Sequence, residues 1–291
     1  MHLFDSLWHR LFKRPYNLAR IVDQGDGPTV VLLHGIGRSA GVWRHVVKQL
    51  AAKNSCRVVA YDLLGFGASP KPDWPDYNID DHATSVIASI QKLRPKQPSV
   101  LVGHSMGCLV AVRVARLRPD LVKQLVLYEM PLYDGLPNKR SYKARSALYY
   151  KLFQEITRLQ PTFNPDTARL AERLAKRLVG AEINAQTWQP FVKSLQHTIM
   201  EQTAAADIKL LQMPMDVIYG SRDMLVIRGK ARHIFGTDTA NITAHTIRER
   251  HIISAKASKF LVERIAAALM APTNQSGHSK LTAIAHAPRT R

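Results

Sequence analysis

Apolar residues return at every third or fourth position at the start of this chain. Leu3, Phe4, Leu7, Trp8, Leu11 and Phe12 fall on one side, with Asp5, Ser6, His9, Arg10, Lys13 and Arg14 on the other. That period predicts a short, basic amphipathic helix, ended by Pro15. From residue 19 the pattern changes. Residues 19–23 read as a strand, Gly25-Asp26-Gly27 as a turn, and residues 29–33 as an unbroken apolar run ending in His34-Gly35. A run without polar alternation suits a strand buried on both faces. Residues 42–52 then read as a helix, 57–61 as a strand, 80–93 as a helix, 99–102 as a second buried strand, 106–117 as a helix and 125–128 as a strand. This alternation predicts a mostly parallel sheet with helices on both faces.

The alternation stops near residue 134. Helical periods run over 142–159, over 166–179 with Gly180 as a stop, and over 185–200. Strand and helix patterns then resume, with strands at 216–219 and 242–247, a helix at 226–235 and a closing helix at 255–270. The chain is therefore expected to divide into an N-terminal helix (1–18), a first core part (19–133), an all-helical cap (134–206), a second core part (207–270) and a basic, structureless tail (271–291).

Length and composition narrow this only slightly. The 291 residues can bury a sizeable core, and 46% hydrophobic with 22% charged residues is ordinary for a globular protein. No apolar run reaches the ~18–20 residues of a membrane-spanning helix, and the start lacks the features of a secretory signal. The cytoplasm is the expected location. The two cysteines, Cys56 and Cys108, suggest neither a disulfide framework nor a zinc site, and both read as small buried residues. Charge changes the picture more. Lys and Arg number 41 against 22 acids, a net charge of +19. Such a balance favours anionic surfaces. No nucleic-acid-binding motif accompanies it, whereas the basic helix at residues 1–14 is a candidate contact with anionic membrane.

The chemistry centres on Gly103-His104-Ser105-Met106-Gly107. A serine hydroxyl is a poor nucleophile at neutral pH; it needs a base for its proton and donors for the oxyanion. Two glycines around a serine, between a buried strand and a helix, allow a tight turn that presents the hydroxyl at the end of the sheet. The base should follow a late strand. His245 lies within the strand at 242–247, while His251 follows it in a loop and is favoured. The acid should follow the preceding strand. Asp223, in Gly220-Ser221-Arg222-Asp223, satisfies that; Asp216 sits at the wrong end of the strand, and Glu129, which also ends a strand, is the alternative acid. The order Ser105, Asp223, His251 is the one expected for such a sheet. Backbone N–H groups of Met106 and Ile36 are the expected oxyanion donors, with Gly37 as a substitute for Ile36.

Together these residues resemble the α/β-hydrolase superfamily, in its capped serine esterase-like branch, over residues 19–270. The resemblance rests on Val30-Val31-Leu32-Leu33-His34-Gly35, on Asp62-Leu63-Leu64-Gly65-Phe66-Gly67-Ala68-Ser69, on the Ser105 turn, on the Asp223 loop and on His251. The chain departs from the family pattern at Arg250, where a glycine usually precedes the histidine. It also departs at its start, where an amphipathic helix stands in place of a fuller β-hairpin, and in its basic tail. The resemblance implies an α/β-hydrolase fold and a serine hydrolase that needs no cofactor or metal. Ser105 argues against the branches that carry an aspartate nucleophile. An apolar acyl substrate fits a cap rich in Tyr142, Tyr149, Tyr150, Leu152, Phe153, Trp188 and Phe191, although those residues also suit a simple inter-helix core. Cleavage of a carboxylic ester or thioester is the leading expectation. Carbon–carbon bond hydrolysis on the same serine, or a ligand-binding module that kept the fold without turnover, are the alternatives.

Overall fold

The computed structural model describes residues 3–12, 14–53, 55–132, 176, 180–223, 225 and 240–272. The predicted helices at 142–159 and 226–235 lie outside this set, as do all but Lys176 of 166–179 and residues 273–291 of the predicted tail. The aromatic cap positions from Tyr142 to Phe153 also fall outside it.

Among the described residues seven strands form one sheet: β1 (Arg20–Gln24), β2 (Thr29–Leu33), β3 (Arg57–Tyr61), β4 (Ser99–His104), β5 (Val122–Tyr128), β6 (Met215–Gly220) and β7 (Ile242–Ile247). Their order across the sheet is β1-β3-β2-β4-β5-β6-β7. Only β1 is antiparallel, paired to β3 with Arg20 opposite Tyr61. The other five pairings are parallel. Parallel strands need crossovers, and those crossovers place helices over both faces. Every residue of β2 and β4 is accordingly buried. Alternate side chains point to opposite faces. Val31 and Leu33 join one core with α3 (Ile79–Leu93) and α4 (Met106–Leu117). Val30 and Leu32 join the other with α2 (Arg44–Lys53) and α7 (Ala255–Met270).

Local signals explain where the helices begin. The Asn78 side chain accepts from Asp80 and Asp81 N–H while Asp81 accepts from the Asn78 N–H, a reciprocal cap at the start of α3. Ser254 caps α7 through the Ala257 N–H. The predicted helix at 185–200 starts later and is not uniform. Asn184 Oδ1 accepts from Gln186 and Thr187 N–H, holding a turn before α5 (Trp188–Ser194). The chain then widens into a π-helical stretch, Leu195–Met200, before α6 (Ala204–Ile208). Gly180 stands at φ +65°, with its N–H on the Lys176 carbonyl, in keeping with the expected helix stop.

At the start of the chain α1 (Leu3–Leu11) precedes edge strand β1. Among the described residues no helix is long and apolar enough to cross a membrane.

Candidate active site

The turn after β4 is forced by close approach. A Cβ on Gly103 would stand 2.6 Å from Cys108 Cα, and one on Gly107 would stand 2.3 Å from the Leu33 carbonyl oxygen. Both obstacles are backbone, so only glycine lets α4 start against the ends of β4 and β2. Between them Ser105 takes φ 53° and ψ −122°. That is a costly conformation for a residue with a side chain, held because the surroundings over-determine it. The Ser105 N–H donates to the Tyr128 carbonyl (3.0 Å), and its own carbonyl accepts from Cys108 N–H (2.9 Å).

The structure brings Ser105, Asp223 and His251 into one line. Ser105 Oγ lies 2.9 Å from His251 Nε2, and His251 Nδ1 lies 2.7 Å from Asp223 Oδ2. All three residues are buried. Asp223 Oδ1 accepts the Leu225 N–H at 2.7 Å. Burial pushes the Asp223 carboxyl up, but the charge and hydrogen bond of His251 outweigh it and hold it below the ordinary carboxylate range. An ionised carboxylate only accepts hydrogen bonds. Nδ1 of His251 therefore carries the hydrogen, and in the neutral ring Nε2 is the nitrogen that can accept from the Ser105 hydroxyl.

His245 and Asp216, the residues set aside in the sequence, bond to each other instead. His245 Nε2 lies 2.6 Å from Asp216 Oδ1, and Gln124 Nε2 donates to Asp216 Oδ2 at 2.9 Å. This pair is at the opposite end of β6 from Asp223. Glu129 is nearer. It is fully buried at φ 54°, and a Cβ on Gly220 would stand 2.3 Å from its Oε1. Its carboxylate, Asp223 and His251 offer donor atoms all within 4.8 Å of one another. Burial, and then the Asp223 carboxylate beside it, raise the Glu129 carboxyl well above its ordinary value. A protonated acid is a poor metal ligand, and Asp223 and His251 already engage each other. Glu129 thus stands behind Asp223 as a neutral group, while Asp223 holds the imidazole.

The loop after β2 lies against the serine. A Cβ on Gly35 would be 3.0 Å from Ser105 Cβ, and the next residue of this loop, Ile36, is also buried. The Met106 N–H is among the first of α4, a group with no acceptor inside its own helix. His34 locks the loop. Its Nδ1 is 2.7 Å from the Gly35 carbonyl, and its Nε2 accepts the Leu63 N–H at 2.8 Å. Burial lowers His34 to about 4, which keeps it neutral and able to do both. From outside, Glu182 N–H donates to the Gly37 carbonyl (2.8 Å) and Arg38 to the Gly180 carbonyl. Asp62 ties the next loop, accepting Ala40 N–H and Ala68 N–H at 2.7 Å each.

Sequence reasoning did not single out two residues that hold the histidine loop. His104 Nε2 lies 2.7 Å from the His251 carbonyl, and Tyr128 OH donates to the Arg250 carbonyl at 3.0 Å. Both end strands beside Ser105, so adjacency at the sheet's carboxyl end was the available signal.

Comparison with known proteins bears on the fold. The family model described as "alpha/beta hydrolase fold" matches residues 28–207. The chain is similar to a probable lysophospholipase, BODYGUARD 4 of Arabidopsis thaliana, at 34% identity over 112 residues. That match takes in 38% of this chain and only 27% of the plant protein. It is also similar to a probable esterase of Oryza sativa subsp. japonica, at 25% identity over 74% of this chain and 81% of that one. Among solved structures, the esterase EaEST of Exiguobacterium antarcticum superposes with a TM-score of 0.67 at 15% identity, over 88% of this chain and all of that one. With its sheet order, its strained serine turn and a family match across most of its length, this chain belongs to the alpha/beta hydrolase fold family.

Proposed function

We propose that this hydrolase-family chain cleaves a carboxylic ester or thioester through an acyl-enzyme on Ser105. The observation that carries the reading is the hydrogen-bonded line from Ser105 Oγ through His251 to Asp223, set at the mouth of the strained turn. His251 Nε2 takes the Ser105 proton as Oγ bonds to the substrate carbonyl carbon. The carbonyl oxygen gains the charge and is held by the Met106 and Ile36 N–H groups, each donor lowering the barrier by roughly 3 kcal/mol. The imidazolium, steadied by Asp223, returns its proton to the leaving alcohol or thiol as the carbon–oxygen or carbon–sulfur bond breaks. Water then repeats the sequence. His251 accepts its proton, the hydroxide adds to the acyl carbon, and Ser105 leaves with the proton restored. The named lysophospholipase and esterase relatives favour an ester-type substrate.

A fluorophosphonate probe and a p-nitrophenyl ester series of increasing acyl length test this. Wild type should label and turn over, and Ser105→Ala should do neither. Labelling without turnover of any ester would point to a binding module, and turnover confined to a β-diketone would point to carbon–carbon cleavage. Inert wild type with both reagents would overturn the reading.

A further inference from the structure

We infer that α1 docks the protein on an anionic lipid surface, at the end of the sheet that carries Ser105. Four residues of its apolar side are exposed. Leu7 is 51% exposed, Trp8 52%, Leu11 66% and Phe12 57%. The Trp8 and Phe12 rings lie against each other, 4.2 Å between centroids, so these side chains form one patch and not scattered singles. Contiguous exposed apolar surface of this kind marks a contact site.

The helix is also held in place. Nine residues are too few for a stable helix in water by themselves. The His9 ring stacks on Tyr16 at 3.8 Å, and His9 Nδ1 bonds the Arg14 carbonyl at 2.8 Å. Tyr16 is buried and accepts from Trp74 Nε1 at 3.1 Å. These contacts come from the polar side of α1 and from the chain after it, while Leu7, Trp8, Leu11 and Phe12 stay exposed.

Its place in the fold follows from β1. Because β1 is antiparallel, its first residue, Arg20, pairs with the last residue of β3, Tyr61. Ala19 likewise accepts the Asp62 N–H. The chain before β1 thus sits at the carboxyl ends of the parallel strands, the end where Ser105 closes β4.

Charge selects the occupant. Arg10 and Arg14 are exposed beside the patch, on a chain of net charge +19. An apolar patch with an indole, rimmed by cations, matches the boundary between acyl chains and acidic headgroups. A second copy of the same chain would set these cations against each other.

Flotation of the full chain with phosphatidylcholine vesicles, with and without phosphatidylglycerol, tests the inference. Wild type should bind the anionic vesicles and release at high salt. The double variant Arg10→Glu/Arg14→Glu should weaken binding by at least about fivefold per cation removed. Leu11→Asp should weaken it by more than about tenfold, with ester turnover on a soluble substrate unchanged. Brominated acyl chains should quench wild-type fluorescence more than that of Trp8→Phe, a readout that needs no disruptive change. No binding of wild type to anionic vesicles, equal binding by Leu11→Asp, or quenching unaffected by Trp8→Phe would overturn it. So would a dimer in ultracentrifugation that Leu11→Asp dissociates while vesicles stay unbound.

Discussion

His104 Nε2 donates to the backbone carbonyl of His251 across 2.7 Å, tying the residue before the serine to the loop of the proposed base. Burial lowers His104 to about 3, so it stays neutral and can keep the proton that this bond needs. Arg250 stands before His251 where the family more often has glycine. Here Tyr128 holds the Arg250 carbonyl and His104 the His251 carbonyl. His104→Ala should free the loop and lower kcat by roughly 10–100-fold, the scale of a small misplacement of reacting groups. KM should change little, and His104→Gln should recover part of the loss. Steady-state kinetics of both variants decide it; an Ala variant with full kcat removes His104 from the positioning role.

The turn glycines should tolerate nothing larger. A Cβ on Gly107 meets the Leu33 and His34 carbonyls at 2.3 and 2.6 Å. Backbone on both sides cannot yield without moving β2 or α4. Gly107→Ala should therefore destabilise the fold by about 3 kcal/mol, at the upper end for overpacking, and abolish probe labelling. Urea unfolding measures the first part. An unchanged midpoint would mean that the approach of α4 to β2 is looser than these distances imply.

Two carboxyls, Asp223 and Glu129, should respond differently. Asp223→Asn removes the acceptor that sets the His251 tautomer, and kcat should fall by roughly 10⁴-fold. Glu129→Gln replaces one neutral group by another and should keep most of the activity. It should also stabilise. The folded-state value of Glu129 lies above its unfolded value, so folding takes up a proton once the pH passes the ordinary carboxylate range. That cost grows with pH and is absent from the glutamine variant. A gain of about 1–2 kcal/mol at neutral pH, shrinking as the pH falls toward 4, is the expected outcome of denaturation at several pH values. Loss of activity in Glu129→Gln equal to that of Asp223→Asn would make Glu129 the working acid.

Acid should unfold the protein through its buried histidines. Burial lowers His34 to about 4 and His82 and His104 to about 3. Their folded values are depressed, so between the ordinary histidine value and about pH 4 the unfolded chain binds more protons. Stability is full above that window and falls as the pH drops through it. The thermal midpoint should decline steadily from about pH 7 to about pH 4, and His82→Gln should flatten the slope. A level midpoint over that range would contradict neutral burial of the three rings.

Much of the fold was legible because it is local. The unbroken apolar runs of β2 and β4 predicted strands buried on both faces, and the glycine–serine–glycine spacing between β4 and α4 predicted the turn. The edge strand β1 was also visible, expected over 19–23 and found at Arg20–Gln24. The single helix expected over 185–200 was not what formed. Asn184 bonds the N–H groups of Gln186 and Thr187 and delays the helix, which widens after Ser194. Hydrogen-bond competition by one side chain does not register in hydrophobic period.

By itself, then, the sequence determined the turn that strains Ser105, the order of the strands' chemistry along the chain and the apolar side of α1. These depend on residues a few positions apart. Only the tertiary structure placed the favoured acid, Asp223, 2.7 Å from His251, with Glu129 at the end of a neighbouring strand behind it. Only it showed that His104 and Tyr128 hold the His251 loop, and that Leu7, Trp8, Leu11 and Phe12 of α1 are exposed. Those outcomes depend on residues far apart in the chain, and a pattern of apolar positions carries no distances between them.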